Sequence, residues 1–382
     1  MEIIKSYKIR IFPTKEQEQK LWQHIGACRF IWNYMLEYQE KSHKNGEKYL
    51  TAFNLTSLLK PLKNDGEHEW LYDVSNKSLQ RTCQDLSDAY IRFFKKIAKH
   101  PKFKSKKKSK ISYPANTEKF YFKDNRMLNI EKIGKVKYKT DFSFPYGTKA
   151  QKYLNVRVSY KNGMWFVAFG IKCESQAHNL KEINMGIDLG IKDLATVEFD
   201  GKQIVFHNIN KSKQMKSLQK KLVHIQRNIS RKYEQNKQGS KLVKTINIIK
   251  EENKLRKIHA RITNIRHNYI HQVTHQLILM LPKCVVMEDL NISSMIKNRH
   301  LSKAIGEQCF YEFIRKMKYK CEWNGIEFVQ ANRFYPSSKT CSGCGCIKSD
   351  LKLSDRTYIC NECGLVIDRD YNAAVNLSRY VS

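Results

Sequence analysis

The chain has 382 residues and an apolar fraction of 41%, enough to build hydrophobic cores in about two to four domains. Seventy Lys and Arg residues against 36 Asp and Glu give a net charge of +34. This charge attracts polyanions, nucleic acid above all, and argues against an ordinary metabolic enzyme. The alternatives are a ribosome-like or generally basic surface and, less favoured, an anionic membrane, because no stretch of about 18 apolar residues occurs.

The N-terminus and the cysteines indicate a reducing compartment. The first residues, MEIIKSYKIRIFPT, contain no apolar stretch and no small-residue cleavage site, so we predict no secretory signal peptide. Eleven cysteines in such a chain indicate reduced thiols or metal ligands rather than a disulfide framework. The expected location is the cytoplasm, with association with the nucleoid when DNA is bound.

The N-terminal residues predict a strand followed by helices. Residues 3–12 alternate between apolar and polar side chains, as is typical of a strand. Thr14 and Gln17 have the spacing of a capping box, which predicts a helix that begins after Thr14. Apolar spacing predicts two more helices, at 51–62 and 75–99.

A basic segment and a β-rich region follow. Residues 95–110 contain nine lysines and no acid, which predicts a loop that either contacts phosphates or is a solvated link. Residues 111–173 are rich in aromatic and β-branched side chains and include a hairpin signal at Asn162-Gly163. They predict a small β-barrel or sandwich, completed by the N-terminal strand.

The second half of the chain predicts alternating strands and helices. The predicted elements are three strands between 183 and 206, a helical hairpin over 211–281, a strand over 282–292, a helix over 303–324 and a strand over 325–331. Residues 211–266 carry seventeen Lys and Arg against three Glu. We expect the apolar face of this hairpin to pack and its basic face to contact nucleic acid.

Two C-x2-C pairs predict a zinc site. Cys341 and Cys344 form the first pair, Cys360 and Cys363 form the second pair, and fifteen residues lie between the two pairs. Four thiolates from two such turns form a tetrahedral site that suits Zn²⁺, and a closed site of this kind is structural rather than catalytic. Cys346, two residues after the first pair, is an alternative ligand.

Three acids stand in apolar surroundings and predict a second metal site. Asp188 and Glu288 lie at the ends of predicted buried strands, and Asp370 lies near the start of the last helix. Buried carboxylates are costly unless they are paired or bind a metal. Three that converge can hold two Mg²⁺ ions, which supports phosphodiester hydrolysis. The order strand–Asp, strand–Glu, helix–Asp is that of an RNase H-like fold.

Other acids are alternatives to these three. Asp193, Asp289 and Asp368 lie nearby in the sequence, and any of them could be a turn or capping residue instead of a ligand. Asp289 follows Glu288 and would point to the opposite face of a strand. Asp368 could cap the last helix.

Several linked motifs resemble the TnpB (OrfB) family of insertion-sequence proteins. The motifs are GIDLGIKDLATV, VVMEDLNI, RFYPSSKTCSGCG and CGLVIDRDYNAAVN. The start YKIRIFPTKEQEQKL and the ending NAAVNL extend the resemblance over almost the whole chain. Members of this family are RNA-guided endonucleases and resemble compact ancestors of the type V CRISPR nucleases.

The resemblance implies an Mg²⁺-dependent endodeoxyribonuclease encoded by a transposable element, which cleaves DNA next to a short duplex motif. Asp188, Glu288 and Asp370 match the RuvC acids, and the family's D-x-N-A-A pattern selects Asp370 over Asp368. The implied partners are a guide RNA from the transposon end and double-stranded target DNA. No membrane is expected as a partner. The implied assembly is a protein monomer with its RNA.

The implied fold is α/β with an additional small β-barrel. It divides into a wedge β-barrel (1–13 and 111–178), a helical recognition lobe with a helix-turn-helix-like start (14–110), an RNase H-like RuvC nuclease domain (181–335 and 367–382) and an inserted zinc ribbon (336–366). The helix at 75–94 is the candidate for contact with the duplex motif. Its predicted contact residues are Ser75, Lys77, Ser78, Gln80 and Arg81, with Lys106, Lys107 and Lys108 as further nucleic-acid contacts.

Two other functions compete with RNA-guided cleavage. A transposase acting in DNA recombination would use a D-D-E site, which the order Asp, Glu, zinc ribbon, Asp disfavours. A nuclease-silent RNA-guided repressor would lack one of the acids, and none is missing. A zinc-ribbon protein that only binds nucleic acid would leave the buried acids unexplained.

Overall fold

A computed structural model describes residues 2–124, 126–140, 152–175, 178–352 and 355–380. The chain divides into two compact units, Met1–Glu174 and Ser175–Ser382. The part of the predicted β region between residues 141 and 151 lies outside the described residues. Within the described ranges, no helix is both long and apolar enough to cross a membrane.

The described part of the N-terminal unit contains four α-helices and a seven-stranded sheet. Its elements are β1 (Glu2–Phe12), α1 (Lys15–Lys44), α2 (Ala52–Ser57), α3 (Leu59–Lys63), α4 (Asn76–Phe94), β2 (Ser112–Pro114), β3 (Tyr121–Phe122), β4 (Met127–Ile130), β5 (Gly134–Lys139), β6 (Tyr153–Lys161) and β7 (Met164–Glu174). The strand order is β2-β6-β7-β1-β5-β4-β3.

Strand β1 lies in the middle of this antiparallel sheet. It pairs with β7 over most of its length and with β5 at its end. Ile3, Ile9 and Ile11 are buried on one face, as the alternating pattern predicts. The prediction that the N-terminal strand completes the β region is therefore confirmed.

The helices of the N-terminal unit begin as predicted but end differently. The Thr14 hydroxyl accepts from the Gln17 amide, and the Gln17 side chain accepts from the Thr14 amide, so the capping box is present. The single helix predicted at 51–62 is two short helices, α2 and α3, because Pro61 has no N–H to continue the ladder. The helix predicted at 75–99 ends at Phe94, because Lys96 adopts a left-handed conformation with φ of 57°.

The basic segment 95–110 contains neither helix nor strand and is anchored to α1 at its middle. The Trp32 indole donates to the Lys102 carbonyl (3.1 Å), and the Asn33 side chain exchanges two hydrogen bonds with the Lys104 backbone. The Lys104 ammonium lies 3.3 Å from the centre of the Trp32 ring, and burial lowers the pKa of Lys104 to about 8. Residues 106–108 remain exposed beyond this anchor.

The C-terminal unit is built around a five-stranded sheet. Its elements are β8 (Lys181–Leu189), β9 (Asp193–Phe199), β10 (Lys202–His207), α5 (Lys213–Gln235), β11 (Lys237–Gln238), β12 (Lys241–Leu242), α6 (Ile246–Leu279), β13 (Pro282–Glu288), α7 (Ile292–Met295), α8 (Ser302–Gln308), α9 (Phe310–Asn324), β14 (Glu327–Ala331), β15 (Thr357–Ile359), β16 (Val366–Asp368) and α10 (Arg369–Ser378). The order of the large sheet is β10-β9-β8-β13-β14.

Strand β8 joins an antiparallel half of this sheet to a parallel half. It pairs antiparallel with β9 and parallel with β13, which in turn pairs parallel with β14. Helix α10 packs against β8, and α6 packs against α9. This arrangement agrees with the RNase H-like nuclease fold predicted from the order of the acids.

Several predicted boundaries in the C-terminal unit are corrected. The strand predicted at 282–292 ends at Glu288 and is followed by α7. The helix predicted at 303–324 is divided into α8 and α9 at Cys309, which has φ of 56°. The helical hairpin is confirmed as α5 and α6, whose shared core includes Met215, Leu218 and Ile262.

His24, which is 1% exposed, makes the stability of the N-terminal unit depend on pH. Its Nδ1 donates to the Lys20 carbonyl (2.8 Å), and its Nε2 accepts from the Ser75 amide (3.1 Å). Protonation would remove this acceptor, and burial lowers the pKa of His24. The stabilisation is therefore complete above pH of about 6.5 and is lost as the pH falls from there through the lowered folded-state pKa.

The measurement is urea unfolding between pH 5 and 8, followed by tryptophan fluorescence. Four of the five tryptophans, at 22, 32, 70 and 165, belong to the N-terminal unit. We expect His24→Gln to flatten the fall of the unfolding midpoint below pH of about 6.5. His43→Gln, at an exposed site on the same helix, is the control and should keep the wild-type pH profile. An equal flattening in both variants would contradict this assignment.

Candidate functional site

Neighbouring parallel strands bring Asp188 and Glu288 to the same end of the large sheet. Asp188 is the penultimate residue of β8, and Glu288 is the last residue of β13. The register pairs Met287 with Ile187, so the two acids lie one step further along adjacent strands. A hundred residues separate them in sequence, and the sheet places them side by side.

Helix α10 brings Asp370 to the same place. Asp370 lies in the first turn of α10, and this helix crosses β8, β9 and β13. An ideal Cβ on Gly186 would lie 1.9 Å from the Ala374 carbonyl oxygen. Only glycine allows this close approach of helix to strand, and Gly186 precedes Asp188 by two residues on the same face.

The charges of the three carboxylates influence one another. Burial raises the pKa of Asp188 well above its usual value, and the charges of Glu288 and Asp370 raise it further. Burial and the charge of Asp370 also raise the pKa of Glu288, while a hydrogen bond from Ser337 opposes this shift. The site thus holds excess negative charge that a divalent cation would stabilise.

The alternative acids have other partners. Asp368 is the N-cap of α10 and accepts from the amides of Asp370 (3.0 Å) and Tyr371 (3.1 Å). Asp289 pairs with Arg333, and Asp193 accepts from His207 (2.8 Å). The predicted capping role of Asp368 is therefore confirmed.

Sequence analysis missed two residues that hold the acids in place. The Ser337 hydroxyl, 2% exposed, donates a short hydrogen bond to the Glu288 carboxylate. Arg369 forms an ion pair with Asp370 at 3.0 Å. Ser337 lies in a loop without periodicity, so no local pattern marked it. Arg369 stands beside the acid in the Asp368-Arg-Asp370 motif, and its basic charge was the available signal.

The four predicted cysteines converge in the C-terminal unit. One Sγ atom from each of Cys341, Cys344, Cys360 and Cys363 lies within 4.8 Å of all the others. The closest pairs are 341 with 363 (3.6 Å) and 344 with 360 (3.5 Å). Four sulfurs at these separations fit a tetrahedral Zn²⁺ site. Cys346 is outside this group, and its carbonyl accepts from the Cys341 amide (2.8 Å).

Two of the residues predicted to contact nucleic acid are structural. Ser75 is 2% exposed and caps α4, and its hydroxyl also donates to Glu131. Ser78 is fully buried against the core. The prediction that these two serines contact nucleic acid is wrong in this structure, because the helix turns them toward the protein interior.

The other predicted residues of α4 face a cavity of about 510 Å³. Lys77, Gln80 and Arg81 line it together with Asn116 and Asn155. This surface offers amide and cationic groups in the N-terminal unit. Lys106, Lys107 and Lys108 are exposed in the basic segment.

Comparison with known families matches three parts of the chain. A helix-turn-helix domain of the OrfB/IS605 type matches residues 1–48, and an OrfB/IS605 family described as “Probable transposase” matches residues 158–299. A Cas12f1-like TNB domain matches residues 310–377, which include the four cysteines.

Curated relatives match the chain over nearly its whole length. A protein of Streptomyces pristinaespiralis, described as “Putative RNA-guided DNA endonuclease”, is 30% identical over 98% of this chain and 89% of its own length. A protein of Escherichia coli (strain K12), described in the same words with the name InsQ, is 29% identical over 99% of this chain and 92% of its own.

A solved structure shows the class of fold. The protein in a Cas12f1–sgRNA–target DNA complex superimposes with a TM-score of 0.62, at 14% identity, and 99% of each chain is covered. The fold of the chain is thus that of the Cas12f1 protein. Together with the relatives, this result shows that the chain belongs to the TnpB family.

Replacement of one cysteine tests the zinc site. We expect Cys360→Ser to reduce the zinc content well below one ion per chain and to lower the melting temperature, because metal binding contributes to the folding free energy. The measurement is elemental analysis of the purified protein, paired with a thermal melt. Cys346→Ser is the matched control and should keep both values. Loss of zinc in Cys346→Ser but not in Cys360→Ser would show that the assignment of the four ligands is wrong.

Proposed function

We propose that the protein is an RNA-guided DNA endonuclease of a transposable element, which hydrolyses target DNA next to a short duplex motif. The observation that carries the proposal is the convergence of Asp188, Glu288 and Asp370 in a chain of net charge +34. The descriptions of the two relatives and the Cas12f1 complex support guide RNA and target DNA as partners.

The three acids would hold Mg²⁺ and act as the catalytic residues. Asp188 experiences the charges of both other acids, so it would take part in holding the ions. Glu288 is held by Ser337 and Asp370 by Arg369, which fixes both carboxylates before a substrate arrives. Bound Mg²⁺ supplies an activated water and stabilises the leaving oxygen.

The four cysteines would hold a structural zinc ion. Thiolates would fill all four positions of a tetrahedral site, so no coordination position would be open to a substrate. The ion would stabilise the ribbon that precedes α10. The same proposal includes the division into a wedge β-barrel, a helical recognition lobe, a RuvC-like nuclease domain and a zinc ribbon. It also includes a protein monomer that binds its RNA, located in the cytoplasm near the nucleoid.

Nucleic-acid affinity would come mainly from exposed basic residues. The segment 95–110 and the hairpin α5–α6 concentrate these charges in the sequence, and Lys106–Lys108 project from the anchored loop. The surface around Lys77, Gln80 and Arg81 is the proposed contact for the duplex motif, since its amides and cations can hydrogen-bond base edges.

Removal of one carboxylate tests the chemistry. We expect Asp188→Asn and Asp370→Asn, each with guide RNA and Mg²⁺, to slow cleavage of a matched target by more than about 100-fold, because a metal ligand matters more than its outer partners. Target binding should be retained, because the loss of an acid makes the protein more basic. Gel analysis of cleavage and a filter-binding assay measure the two effects.

Asp368→Asn is the matched control on the same helix. Asparagine caps a helix nearly as well as aspartate, so this variant should cut at close to the wild-type rate. The assignment fails if Asp368→Asn is inactive while Asp370→Asn still cuts. A wild-type protein that binds its matched target in Mg²⁺ and never cleaves it would be a repressor, and one that joins strands would be a transposase.

Neutralisation of the exposed lysines tests the electrostatic part. We expect the triple replacement of Lys106, Lys107 and Lys108 by glutamine to flatten the dependence of log affinity on log salt. Each lost phosphate contact should lower the slope by about 0.7 to 0.9. The measurement is RNA and DNA binding across a salt series.

A triple glutamine variant at Lys41, Lys172 and Lys283 controls for total charge. Each of these lysines pairs with a glutamate, so we expect it to make no phosphate contact. Equal slopes in the two triple variants would show that residues 106–108 form a solvated link.

A further inference from the structure

Two asparagines of α10 form buried hydrogen bonds whose partners lead toward both metal sites. Asn372 and Asn376 are one helical turn apart, so they lie on the same face of α10, and they are 0% and 5% exposed. The predicted roles of the carboxylates and cysteines leave these two amides unexplained. Buried side-chain amides in proteins nearly always have hydrogen-bond partners, and the partners of these two show what the amides hold in place.

Asn376 is connected to the carboxylate site. Its Nδ2 donates to the carbonyl of Ser337 at 2.7 Å. The hydroxyl of the same Ser337 donates to the Glu288 carboxylate. The path from α10 to Glu288 thus passes through one buried serine.

Asn372 is connected to the zinc ribbon. Its Oδ1 accepts from the amide of Ser342 at 2.9 Å, and Ser342 lies between Cys341 and Cys344 in the first C-x2-C turn. Its Nδ2 donates to the carbonyl of Thr340 at 2.7 Å. This carbonyl directly precedes the first cysteine of the site.

The two halves of the network meet at one atom. The Thr340 carbonyl oxygen accepts from Asn372 and from Asn376, both at 2.7 Å. Segment 337–342 is therefore held on α10 from end to end, with Glu288 bonded at its beginning and a cysteine turn at its end. The same hydrogen bonds to α10 therefore hold both the first C-x2-C turn and the serine that contacts the Glu288 carboxylate.

We propose that Asn372, Asn376 and Ser337 are positioning residues that couple zinc binding at the cysteines to divalent-cation binding at the carboxylates. The inference rests on the proposed function of Asp188, Glu288 and Asp370. An ordered cysteine turn holds segment 337–342 on α10, and this orients the Glu288 carboxylate. The coupling is reciprocal, because linkage between two binding sites acts equally in both directions.

The experiment measures Mg²⁺ binding to the full-length protein without nucleic acid. Calorimetric titrations with Mg²⁺ compare the zinc-loaded protein with protein stripped by a chelator that binds zinc but not Mg²⁺. We expect zinc removal to weaken Mg²⁺ binding at least about fivefold, the lower end of usual coupling between linked sites. Competition with the same chelator should show tighter zinc binding when Mg²⁺ is present.

Two variants separate coupling from simple loss of folding. Ser337→Ala removes only the hydroxyl that bonds Glu288, so it should keep one zinc per chain and the wild-type melt but lose the zinc dependence of Mg²⁺ affinity. Asn376→Ala removes both hydrogen bonds of that amide and should have the same effect, with a lower melting temperature. Ser378→Ala, whose hydroxyl donates to the Val375 carbonyl within α10, is the matched control and should keep the coupling.

The outcomes are distinguishable. Mg²⁺ affinity that is equal with and without zinc in the wild-type protein overturns the coupling and leaves the nuclease proposal intact. Full coupling in Ser337→Ala overturns the assigned path. Mg²⁺ binding that Asp188→Asn does not weaken overturns the proposed metal site, and the coupling with it.

Discussion

The close approach of α10 to β8 is the constraint on which the carboxylate site depends. With no Cβ at Gly186, the Ala374 carbonyl can lie against the strand, and a methyl group there would meet it at 1.9 Å. Asp188 follows two residues later on the strand, and Asp370 precedes Ala374 by one helical turn. The distance between these acids is therefore set by backbone packing rather than by flexible side chains. Ala373 and Ala374 are 1% and 0% exposed, so small side chains complete the contact.

The concentration of acids at one end of the sheet must be reconciled with the folding of the protein. The charges of Glu288 and Asp370 raise the pKa of Asp188, so the three carboxylates would destabilise the folded state if all were charged and unpartnered. Ser337 and Arg369 offset part of this cost by a hydrogen bond and an ion pair. The remainder would favour a divalent cation at the site, and the chain as a whole carries a net charge of +34, which attracts phosphates. The electrostatic field that draws in a polyanion and the local charge that would bind cations thus have opposite signs and separate origins.

Local sequence patterns predicted most of the helices and strands. The features that these patterns missed, such as helix ends and the buried face of α4, are set by tertiary packing. The capping box at Thr14 and the alternation of residues 3–12 act within a few residues, so the sequence could reveal them. The C-terminal ends of α4 and α8 depend on left-handed conformations at Lys96 and Cys309. Because neither residue is glycine, no propensity predicts these conformations. The burial of Ser78 depends on which face of α4 meets the core. The convergence of the four cysteines was predictable from the fixed spacing of two C-x2-C turns. The acids are predicted from their apolar surroundings and their order along the chain, whereas Ser337, which contacts Glu288, is an ordinary residue that no pattern marks.

The four-cysteine segment lies in the chain between β14 and the helix that carries the last acid. Strand β14 ends at Ala331 and α10 begins at Arg369, so a long connection must be ordered before α10 can pack on β8. A connection of this length without a core of its own would carry a loop-closure cost and many competing conformations. The four sulfurs lie within 4.8 Å of one another, and Cys341 and Cys360 pack with Tyr358, which is fully buried. The paired strands β15 and β16 then lead directly into α10, since Asp368 ends β16 and caps the helix. The four-cysteine segment therefore shortens the effective connection between β14 and the helix carrying Asp370, and its order would help to bring the third carboxylate to the sheet.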